Sequence, residues 1–219
     1  MTTTLRITAD GIRRLVNKLG ENRLTGRLLP YTQLEIPAQQ WEEQYADGHW
    51  QRLEKIHELP RYGAVAAYCR EAAPGPRLLD IGCGEGLLLR HLPADHQPHY
   101  LGLDISINAI ERAQTQFPRA RFQTADVNHF EPDEPFDTVV FNECIYYFNN
   151  PVAVVGRYME MLTPDGLVIV SCYDSPRTRK VWKRLDRHFE LVDATHIRNR
   201  GSTSWTIKLY AHGPARFQP

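Results

Sequence analysis

Short runs of apolar residues alternate along the chain with segments whose apolar residues recur every three or four positions. Short apolar runs are typical of strands buried on both faces, and the longer spacing is typical of amphipathic helices. The runs predict strands at Leu78–Ile81, Tyr100–Asp104, Phe122–Ala125, Phe136–Phe141, Leu167–Ser171, Leu191–Ala194 and Ser204–Ala211. The periodic segments predict helices at Arg61–Ala73, Gly86–Leu92, Ile107–Phe117, Pro151–Leu162 and Arg177–Phe189.

Strands that alternate with helices predict right-handed βαβ units, and therefore an α/β fold with a doubly wound, mostly parallel sheet covered on both faces. The last strand differs, because Trp205, Ile207, Leu209 and Ala211 alternate with polar residues as in a half-buried antiparallel strand. Ligands bind such sheets outside the carboxyl ends of the strands. The residues that directly follow each strand are therefore the first candidates for chemistry.

The first 36 residues differ from the rest and predict a basic helical extension, residues 1–36. Six Lys or Arg residues stand against two acidic residues between positions 1 and 29. The helix predicted over Gly11–Leu19 is expected to pack on the main domain or on the second subunit of a homodimer. A contact with phosphate groups or a membrane surface is the alternative interpretation of this short basic segment.

The rest of the chain, residues 37–219, is predicted to form one domain. Residues 37–75 predict a helical lid or cap that is rich in aromatic residues, and Trp41 and Tyr45 would share one face of its first helix. Residues 76–211 predict the sheet core.

The composition changes this picture little. Hydrophobic residues make up 42% and charged residues 24% of the 219 residues, and 26 Lys and Arg residues balance 26 Asp and Glu residues. A neutral chain argues against a protein that binds nucleic acid over its whole surface. Because no apolar stretch approaches ~18 residues and no signal-peptide core opens the sequence, we expect neither a membrane span nor export.

The four cysteines are scattered, at Cys69, Cys83, Cys144 and Cys172. None forms a C-x-x-C pair and no histidine cluster accompanies them, so we expect no metal site. Single cysteines of this kind suit the reducing cytoplasm, and we expect all four to be small buried apolar side chains.

The strongest chemical signal is the segment D-I-G-C-G-E-G, Asp80–Gly86, which follows a predicted strand and precedes a predicted helix. Its glycines, Gly82, Gly84 and Gly86, let the backbone turn tightly and let a ligand approach without a Cβ in the way. A dinucleotide-binding motif would read G-x-G-x-x-G, with the third glycine one place later. Asp80 would repel a pyrophosphate, and it could instead meet a cationic group of a ligand.

Acidic residues follow two further strands. Asp104 ends the second strand, 22 residues beyond Gly82, and a carboxylate at that spacing can accept hydrogen bonds from both hydroxyls of a ribose. Asp126 and Val127 follow the third strand, where the carboxylate could accept a hydrogen bond from the exocyclic amine of a purine. An isolated Asp at a strand end is often only a turn residue, but this order and spacing would rarely arise by chance.

From about Arg77 to Ser171 the chain resembles the core of class I S-adenosylmethionine-dependent methyltransferases. The resemblance rests on the segments L-L-D-I-G-C-G-E-G-L-L, L-G-L-D-I-S, F-Q-T-A-D-V, F-D-T-V-V-F-N-E and L-T-P-D-G-L-V-I-V. It implies a Rossmann-like fold with seven strands, the last antiparallel, and S-adenosylmethionine as cofactor with S-adenosylhomocysteine as product. The segments N-E-C-I-Y-Y-F and W-E-E-Q-Y-A-D-G-H-W further resemble small-molecule methyltransferases, loosely the nodulation protein S N-methyltransferases.

The resemblance also implies roles for the motif residues. Asp80 would lie near the amino group of the cofactor, Asp104 would hold the ribose hydroxyls, Ile105 would pack against adenine, and Asn142 would lie beside the sulfonium. The full set expected at the cofactor is Tyr45, Asp80, Gly82, Cys83, Gly84, Gly86, Asp104, Ile105, Asp126, Val127 and Asn142.

The methyl acceptor is expected beside the residues after the fourth strand, and Glu143, Tyr146 and Tyr147 are the catalytic candidates. Glu143 could hold or deprotonate an amine, or it could be a solvated carboxylate turned toward the cofactor. Of the two adjacent tyrosines, one is expected to face the pocket and the other to pack. Trp41 and Trp50 could close over the cofactor together with Tyr45, as a lid.

Weaker acceptor candidates lie further along the chain. Tyr173 and Asp174 follow the fifth strand, and His196, Arg198 and Arg200 are expected in the connection before the last strand.

We expect transfer of a methyl group to a nitrogen or oxygen of a small-molecule acceptor. One alternative is an RNA or protein methyltransferase that uses the basic N-terminal arm for recognition. Another is a catalytically silent methyltransferase-like subunit that stabilises a partner. A nicotinamide-dependent dehydrogenase is disfavoured by the glycine spacing.

Overall fold

A computed structural model describes residues 37–211 of the chain. Its centre is a sheet of seven strands in the order β3-β2-β1-β4-β5-β7-β6. The strands are β1 (Leu78–Ile81), β2 (Tyr100–Asp104), β3 (Arg121–Thr124), β4 (Phe136–Asn142), β5 (Leu162–Tyr173), β6 (Glu190–Arg198) and β7 (Ser204–Ala211). Strands β1 to β5 are parallel, and β7 runs antiparallel to both β5 and β6. The predicted α/β fold, including its antiparallel last strand, is confirmed.

Within residues 37–211, five α-helices accompany the sheet. They are α1 (Ala38–Ala46), α2 (Leu59–Glu71), α3 (Ile107–Gln116), α4 (Pro151–Met159) and α5 (Pro176–His188). Side-chain oxygens cap three of them, because Ser106, Asn150 and Ser175 accept hydrogen bonds from N–H groups of the first turns of α3, α4 and α5.

Alternate residues of the central strands point to opposite faces of the sheet and build two cores. Leu79 and Phe141 belong to the core under α4 and α5, whereas Leu78 and Val140 belong to the core under α2. Since both faces are covered, polar side chains gather where the parallel strands end.

The prediction of an α-helix at Gly86–Leu92 is wrong. A 3-10 helix of five residues, Leu87–His91, stands there instead. Leu92 is extended, as expected for a residue that precedes a proline, and so the helix ends after little more than one turn. The glycine-rich segment is therefore followed by a short turn, without the dipole of a long helix.

Strands β5 and β6 are both longer than predicted. Strand β5 begins at Leu162 instead of Leu167, because Leu162 pairs with Phe136 before the register shifts and Leu167 pairs with Thr138. His196 and Arg198 lie in β6 instead of a connection, because pairing with β7 continues as far as Arg198.

The predicted helix over Gly11–Leu19 and the whole extension 1–36 lie outside the described residues. Within residues 37–211, no helix combines the length and apolar character needed to cross a membrane.

Gly102 in β2 tests the packing beneath the glycine-rich segment. A Cβ added there would lie 2.7 Å from both Cys83 Sγ and Phe122 Cδ1, so we expect Gly102→Ala to lower the free energy of unfolding by about 1–3 kcal/mol. Gly63→Ala in α2 is the matched control, because nothing lies within 4 Å of its added Cβ, and it should raise stability by about 0.4–1 kcal/mol. Urea unfolding of both variants measures the difference, and equal stabilities would contradict this packing.

Candidate functional site

A cavity of about 540 Å³ opens at the carboxyl ends of the central strands. Seven residues predicted for the cofactor line it, namely Tyr45, Gly82, Asp104, Ile105, Asp126, Val127 and Asn142. Three more, Asp80, Cys83 and Gly84, line a smaller cavity of about 50 Å³ that shares Tyr45, Gly82, Asn142 and Glu143 with the first. Gly86 lines neither cavity. Its added Cβ would lie 3.0 Å from the Phe122 ring, so its place is in the packing of the loop.

The loop after β1 takes a conformation that requires glycine. Gly82 and Gly84 have φ angles of 66° and 56°, in the left-handed region. A Cβ on Gly84 would lie 2.6 Å from Tyr45 Oη, so α1 approaches the bare backbone at this point. The Gly84 N–H donates to Asp104 Oδ2 at 2.9 Å and ties the loop to the end of β2.

Asp80 is a buried carboxylate, and one of its two oxygens accepts no hydrogen bond from the described residues. Its Oδ2 accepts a hydrogen bond from Tyr100 Oη at 2.6 Å, while its buried Oδ1 has no hydrogen-bond partner among the described residues. Burial raises the pKa of Asp80 to about 7 against the effect of the Tyr100 hydrogen bond, and the nearby Asp104 adds to the rise. A donor or cation that reached Oδ1 would relieve this cost.

Asp104 is held rigidly at the cavity wall. Its Oδ1 accepts from Ser106 N and its Oδ2 from Gly84 N, each at 2.9 Å. Burial raises the pKa of Asp104 to about 6, although the N–H groups of Ser106 and Gly84 stabilise the carboxylate. Each oxygen keeps a second lone pair, so a ligand can still donate to this carboxylate.

Asp126 differs from the other two carboxylates because it faces solvent more openly. Asn128 donates to its Oδ1 through both the backbone N and Nδ2, each at 2.9 Å, and His129 Nδ1 lies 2.9 Å from its Oδ2. Burial is slight and raises the pKa of Asp126, but these hydrogen bonds outweigh it and the net shift is downward. It is an ionised acceptor at the rim of the cavity.

Glu143 is turned into the site by an unusual backbone. Its φ is 62°, which a residue with a side chain rarely adopts. Its carboxylate accepts hydrogen bonds from Tyr146 Oη at 3.1 Å, and from Ser171 Oγ and Tyr173 N at 3.2 Å each. Burial raises the pKa of Glu143 to about 7 in spite of the opposing charge of Arg61.

Both adjacent tyrosines line the large cavity, and Tyr146 also packs in the core under α4 and α5, so one tyrosine packs as predicted without leaving the cavity wall. The short 3-10 helix at Ile145–Tyr147 places Tyr146 and Tyr147 side by side, with ring centroids 4.6 Å apart. Trp41 meets Tyr147 edge to face at 4.9 Å and stacks on Trp50 at 5.6 Å. Residues from the segment 37–75 and from the end of β4 therefore share one wall.

Of the weaker candidates for contact with the methyl acceptor, one lines the cavity and the others do not. Tyr173 lines the cavity, whereas Asp174, His196, Arg198 and Arg200 do not. Thr203 and Trp205, at the start of β7, line it instead.

Cys144 lies in the cavity wall but has a structural contact. Its Sγ donates to the carbonyl oxygen of Ile81 at 3.0 Å, and burial raises the pKa of the thiol well above its ordinary value. A thiol kept protonated in this way is a poor nucleophile. Within residues 37–211, no group of three or more His, Cys, Asp or Glu side chains is placed to hold a metal ion.

Two residues of this region were missed by the sequence analysis. Arg61 in α2 is 1% exposed and donates to Glu58 Oε2 at 3.0 Å and to Asn142 Oδ1. The sequence offered one signal for Arg61: on a helix it would lie three positions after Glu58 and four before Val65, and therefore on the same face as both.

Glu42 joins α1 to the start of α3. Its carboxylate accepts from Asn108 Nδ2 at 2.7 Å, from Ser106 Oγ at 3.0 Å, and from the backbone N–H of Ile107. Because the two helices are 60 residues apart in sequence, nothing local marks this contact.

Comparison with known proteins identifies the class. A family model described as a methyltransferase domain matches residues 38–209. The chain belongs to this family, and the resemblance to class I S-adenosylmethionine-dependent methyltransferases is confirmed.

Individual relatives cover parts of the chain. An uncharacterized methyltransferase of Mycobacterium tuberculosis (strain ATCC 25618 / H37Rv) is 32% identical over 132 residues, which are 58% of this chain and 64% of that protein. Phosphoethanolamine N-methyltransferase 1 of Arabidopsis thaliana is 32% identical over 112 residues, 48% of this chain and 23% of that protein. The matched part is thus less than two thirds of the length of each relative.

A solved structure supports the fold. The N-methyltransferase NodS of Bradyrhizobium japonicum WM9, in complex with S-adenosyl-L-homocysteine, superposes with a TM-score of 0.66 at 19% identity. The match covers 79% of this chain and 96% of that chain. At this identity the likeness shows the common fold.

The unpartnered oxygen of Asp80 predicts a pH-dependent gain in stability from Asp80→Asn. Because the folded pKa of about 7 lies above the ordinary value, the folded protein holds this proton more tightly than the unfolded chain. The resulting penalty is absent near pH 4, grows as pH rises, and is complete above pH 7.

The melting temperature of Asp80→Asn in the ligand-free protein should therefore exceed that of the wild type at pH 8, and the difference should be far smaller at pH 4, close to the ordinary Asp pKa of 3.8. Thermal unfolding followed by circular dichroism at both pH values measures this difference. An Asn variant that melts below the wild type at pH 8 would show that Asp80 is already satisfied.

Proposed function

We propose that this chain transfers a methyl group from S-adenosylmethionine to a nitrogen or oxygen nucleophile of a small molecule. The observation that carries the proposal is the unpartnered, buried Oδ1 of Asp80 beside a glycine-rich loop that leaves the backbone bare. A hydrogen-bond acceptor of this kind suits the ammonium group of the methyl donor, S-adenosylmethionine. Membership in the methyltransferase domain family supports the same reaction class.

Acidic residues at the ends of successive strands fit the ribose and the adenine of S-adenosylmethionine. Asp104 has lone pairs left for the two ribose hydroxyls, and Asp126 at the rim can accept from the adenine amine. Ile105 is 41% exposed although it is apolar, and it offers a surface for the adenine ring. Asn142 and Glu143, at the end of β4, would then lie nearest the sulfonium.

When bound, S-adenosylmethionine supplies a methyl group that its sulfonium already makes electrophilic. The chain therefore needs chiefly to orient the acceptor and to exclude water, and orientation can account for ~7–11 kcal/mol of a barrier. Trp41 and Trp50 cover the cavity from the lid side. Glu143 is the group placed to hold or remove a proton of the acceptor.

The size of the cavity supports a small-molecule acceptor. A volume of about 540 Å³ falls within the range of ordinary ligand pockets, roughly 300–1,000 Å³. A nitrogen acceptor is favoured over oxygen by the names of two relatives, the phosphoethanolamine N-methyltransferase and the N-methyltransferase NodS.

Substitution of Asp104 tests donor binding. Asp104→Ala removes the carboxylate that would accept the ribose hydroxyls, and charge-assisted hydrogen bonds of this kind are worth about 1.5–3 kcal/mol each. We expect S-adenosylmethionine to bind at least roughly 10-fold more weakly, measured by titration calorimetry. Glu111→Ala, an exposed carboxylate on α3 outside the cavity, is the control and should bind as the wild type does.

Equal affinity in Asp104→Ala and the wild type would remove Asp104 from the donor site. Preferential binding of NADH over S-adenosylmethionine by the wild type would overturn the proposed reaction.

A further inference from the structure

The acceptor end of the cavity has walls of aromatic rings. Four rings, which we call the aromatic box, line it: Trp41, Tyr146, Tyr147 and Tyr173. Two pairs of rings meet near right angles, with 86° between Trp41 and Tyr147 and 89° between Tyr146 and Tyr173, while the Tyr146 and Tyr147 rings are tilted by 52°. Trp50 supports the box from outside by stacking on Trp41.

The aromatic box stands apart from the residues proposed for the nucleoside. Tyr146 and Tyr147 follow β4 and Tyr173 ends β5, whereas Asp104 and Asp126 follow β2 and β3. In the sheet order, β1 separates β2 and β3 from β4 and β5. The rings are therefore on the side of the glycine-rich loop away from the proposed adenosine position.

A carboxylate completes this end of the cavity. Glu143 is held by hydrogen bonds from Tyr146 Oη and Tyr173 N, at 3.1 Å and 3.2 Å, so that two members of the aromatic box also position it. The other carboxylate nearby, Glu58, is already paired with Arg61 at 3.0 Å.

The charged residues that line the cavity are mostly acidic. Glu58, Asp104, Asp126 and Glu143 line the cavity, and Arg52 is the one Lys or Arg among the lining residues of the described chain. The Arg52 guanidinium lies over the Trp50 ring, 4.9 Å from its centroid. Arg61 beside Glu143, and Arg177, which donates to the Tyr146 carbonyl oxygen at 2.7 Å, offset part of this negative charge. The acidic residues still outnumber the basic ones along the lining itself, which favours a positive ligand.

We propose that the methyl acceptor is an alkylamine whose ammonium group is held in the aromatic box against the Glu143 carboxylate. This rests on the proposed methyl transfer and adds the chemical class of the acceptor. Ring faces carry negative charge in their quadrupoles and attract a compact cation, and near-perpendicular walls can surround one. A neutral alcohol would gain little from the same surroundings.

The proton balance of the reaction assigns a task to Glu143. The acceptor ammonium gives one proton to the Glu143 carboxylate, which frees the nitrogen lone pair. That lone pair forms the new N–CH₃ bond as the S–CH₃ bond breaks, and the electron pair of the broken bond stays on sulfur. The products are a methylated ammonium and a neutral thioether, and the proton on Glu143 then passes to solvent.

The test uses two ligands of nearly equal shape and different charge. The protein is saturated with S-adenosylhomocysteine, whose binding is first confirmed by calorimetry, and is then titrated with choline or with the neutral isostere 3,3-dimethylbutan-1-ol. We expect choline to bind at least roughly 10-fold more tightly, since a desolvated cation–π contact and a carboxylate both act on its charge alone.

Single-residue variants test whether the preference for choline depends on Tyr147 and Glu143. Tyr147→Leu and Glu143→Gln, each saturated with S-adenosylhomocysteine as calorimetry confirms, should reduce the preference for choline several-fold, while Tyr147→Phe should keep the preference because the ring remains. Tyr68→Leu, which removes a half-buried ring outside the cavity, is the matched control and should match the wild type.

Three outcomes overturn the inference and leave the proposed function standing. The loaded protein could bind both ligands equally or bind neither, or it could keep its choline preference in both Tyr147→Leu and Glu143→Gln. Failure to bind S-adenosylhomocysteine at all would instead contradict the proposed function, and the acceptor assignment would fall with it.

Discussion

The structure depends on three carboxylates, two buried and one partly buried, that lie where three neighbouring strands end. Asp80 belongs to β1, Asp104 ends β2, and Glu143 follows β4. Burial raises the pKa of each one, to about 7, 6 and 7. Burying ionised groups costs stability unless a cation or enough donors compensate. Arg61 supplies part of the opposite charge, but Asp80 Oδ1 still lacks a partner among the described residues.

This unfavourable arrangement is explained by a cationic ligand. A donor with an ammonium group and a sulfonium would supply the charge that the protein lacks, and an ammonium on the acceptor would add to it. The aromatic rings beside Glu143 fit the same demand, because their faces attract cations without hydrogen-bonding to them. The strained backbone of Glu143 is consistent with a residue positioned for function.

The sequence predicted those site residues that follow strands in the order of a known family. Gly82, Asp104 and Asp126 could be placed because parallel strands end at one edge of the sheet, and a short motif after each strand stays local in space. The end of the predicted helix at Gly86–Leu92 could have been read from Pro93, which directly follows it.

Contacts between distant segments could not be predicted in the same way. The bond from Arg61 to Asn142 joins residues 81 positions apart, and the contact of Glu42 with α3 spans more than 60. Which faces of Tyr146 and Tyr147 meet the cavity was set by the short 3-10 helix that carries them. Hydrophobic pattern reports which side of an element is buried, but not which polar partner arrives from another element.

The central claim is that Asp80, Asp104 and Glu143 bind a cationic ligand. The release of protons when that ligand binds tests this claim most directly. A positive charge placed near Asp80 and Glu143 lowers their pKa values, so both should lose protons near pH 6.5 when the ligand binds. Calorimetric titration in buffers of different ionisation enthalpy counts the protons released. We predict release on binding of S-adenosylmethionine, and less release for S-adenosylhomocysteine, whose sulfur is neutral. Binding of S-adenosylmethionine without proton release, or with proton uptake, would contradict the account.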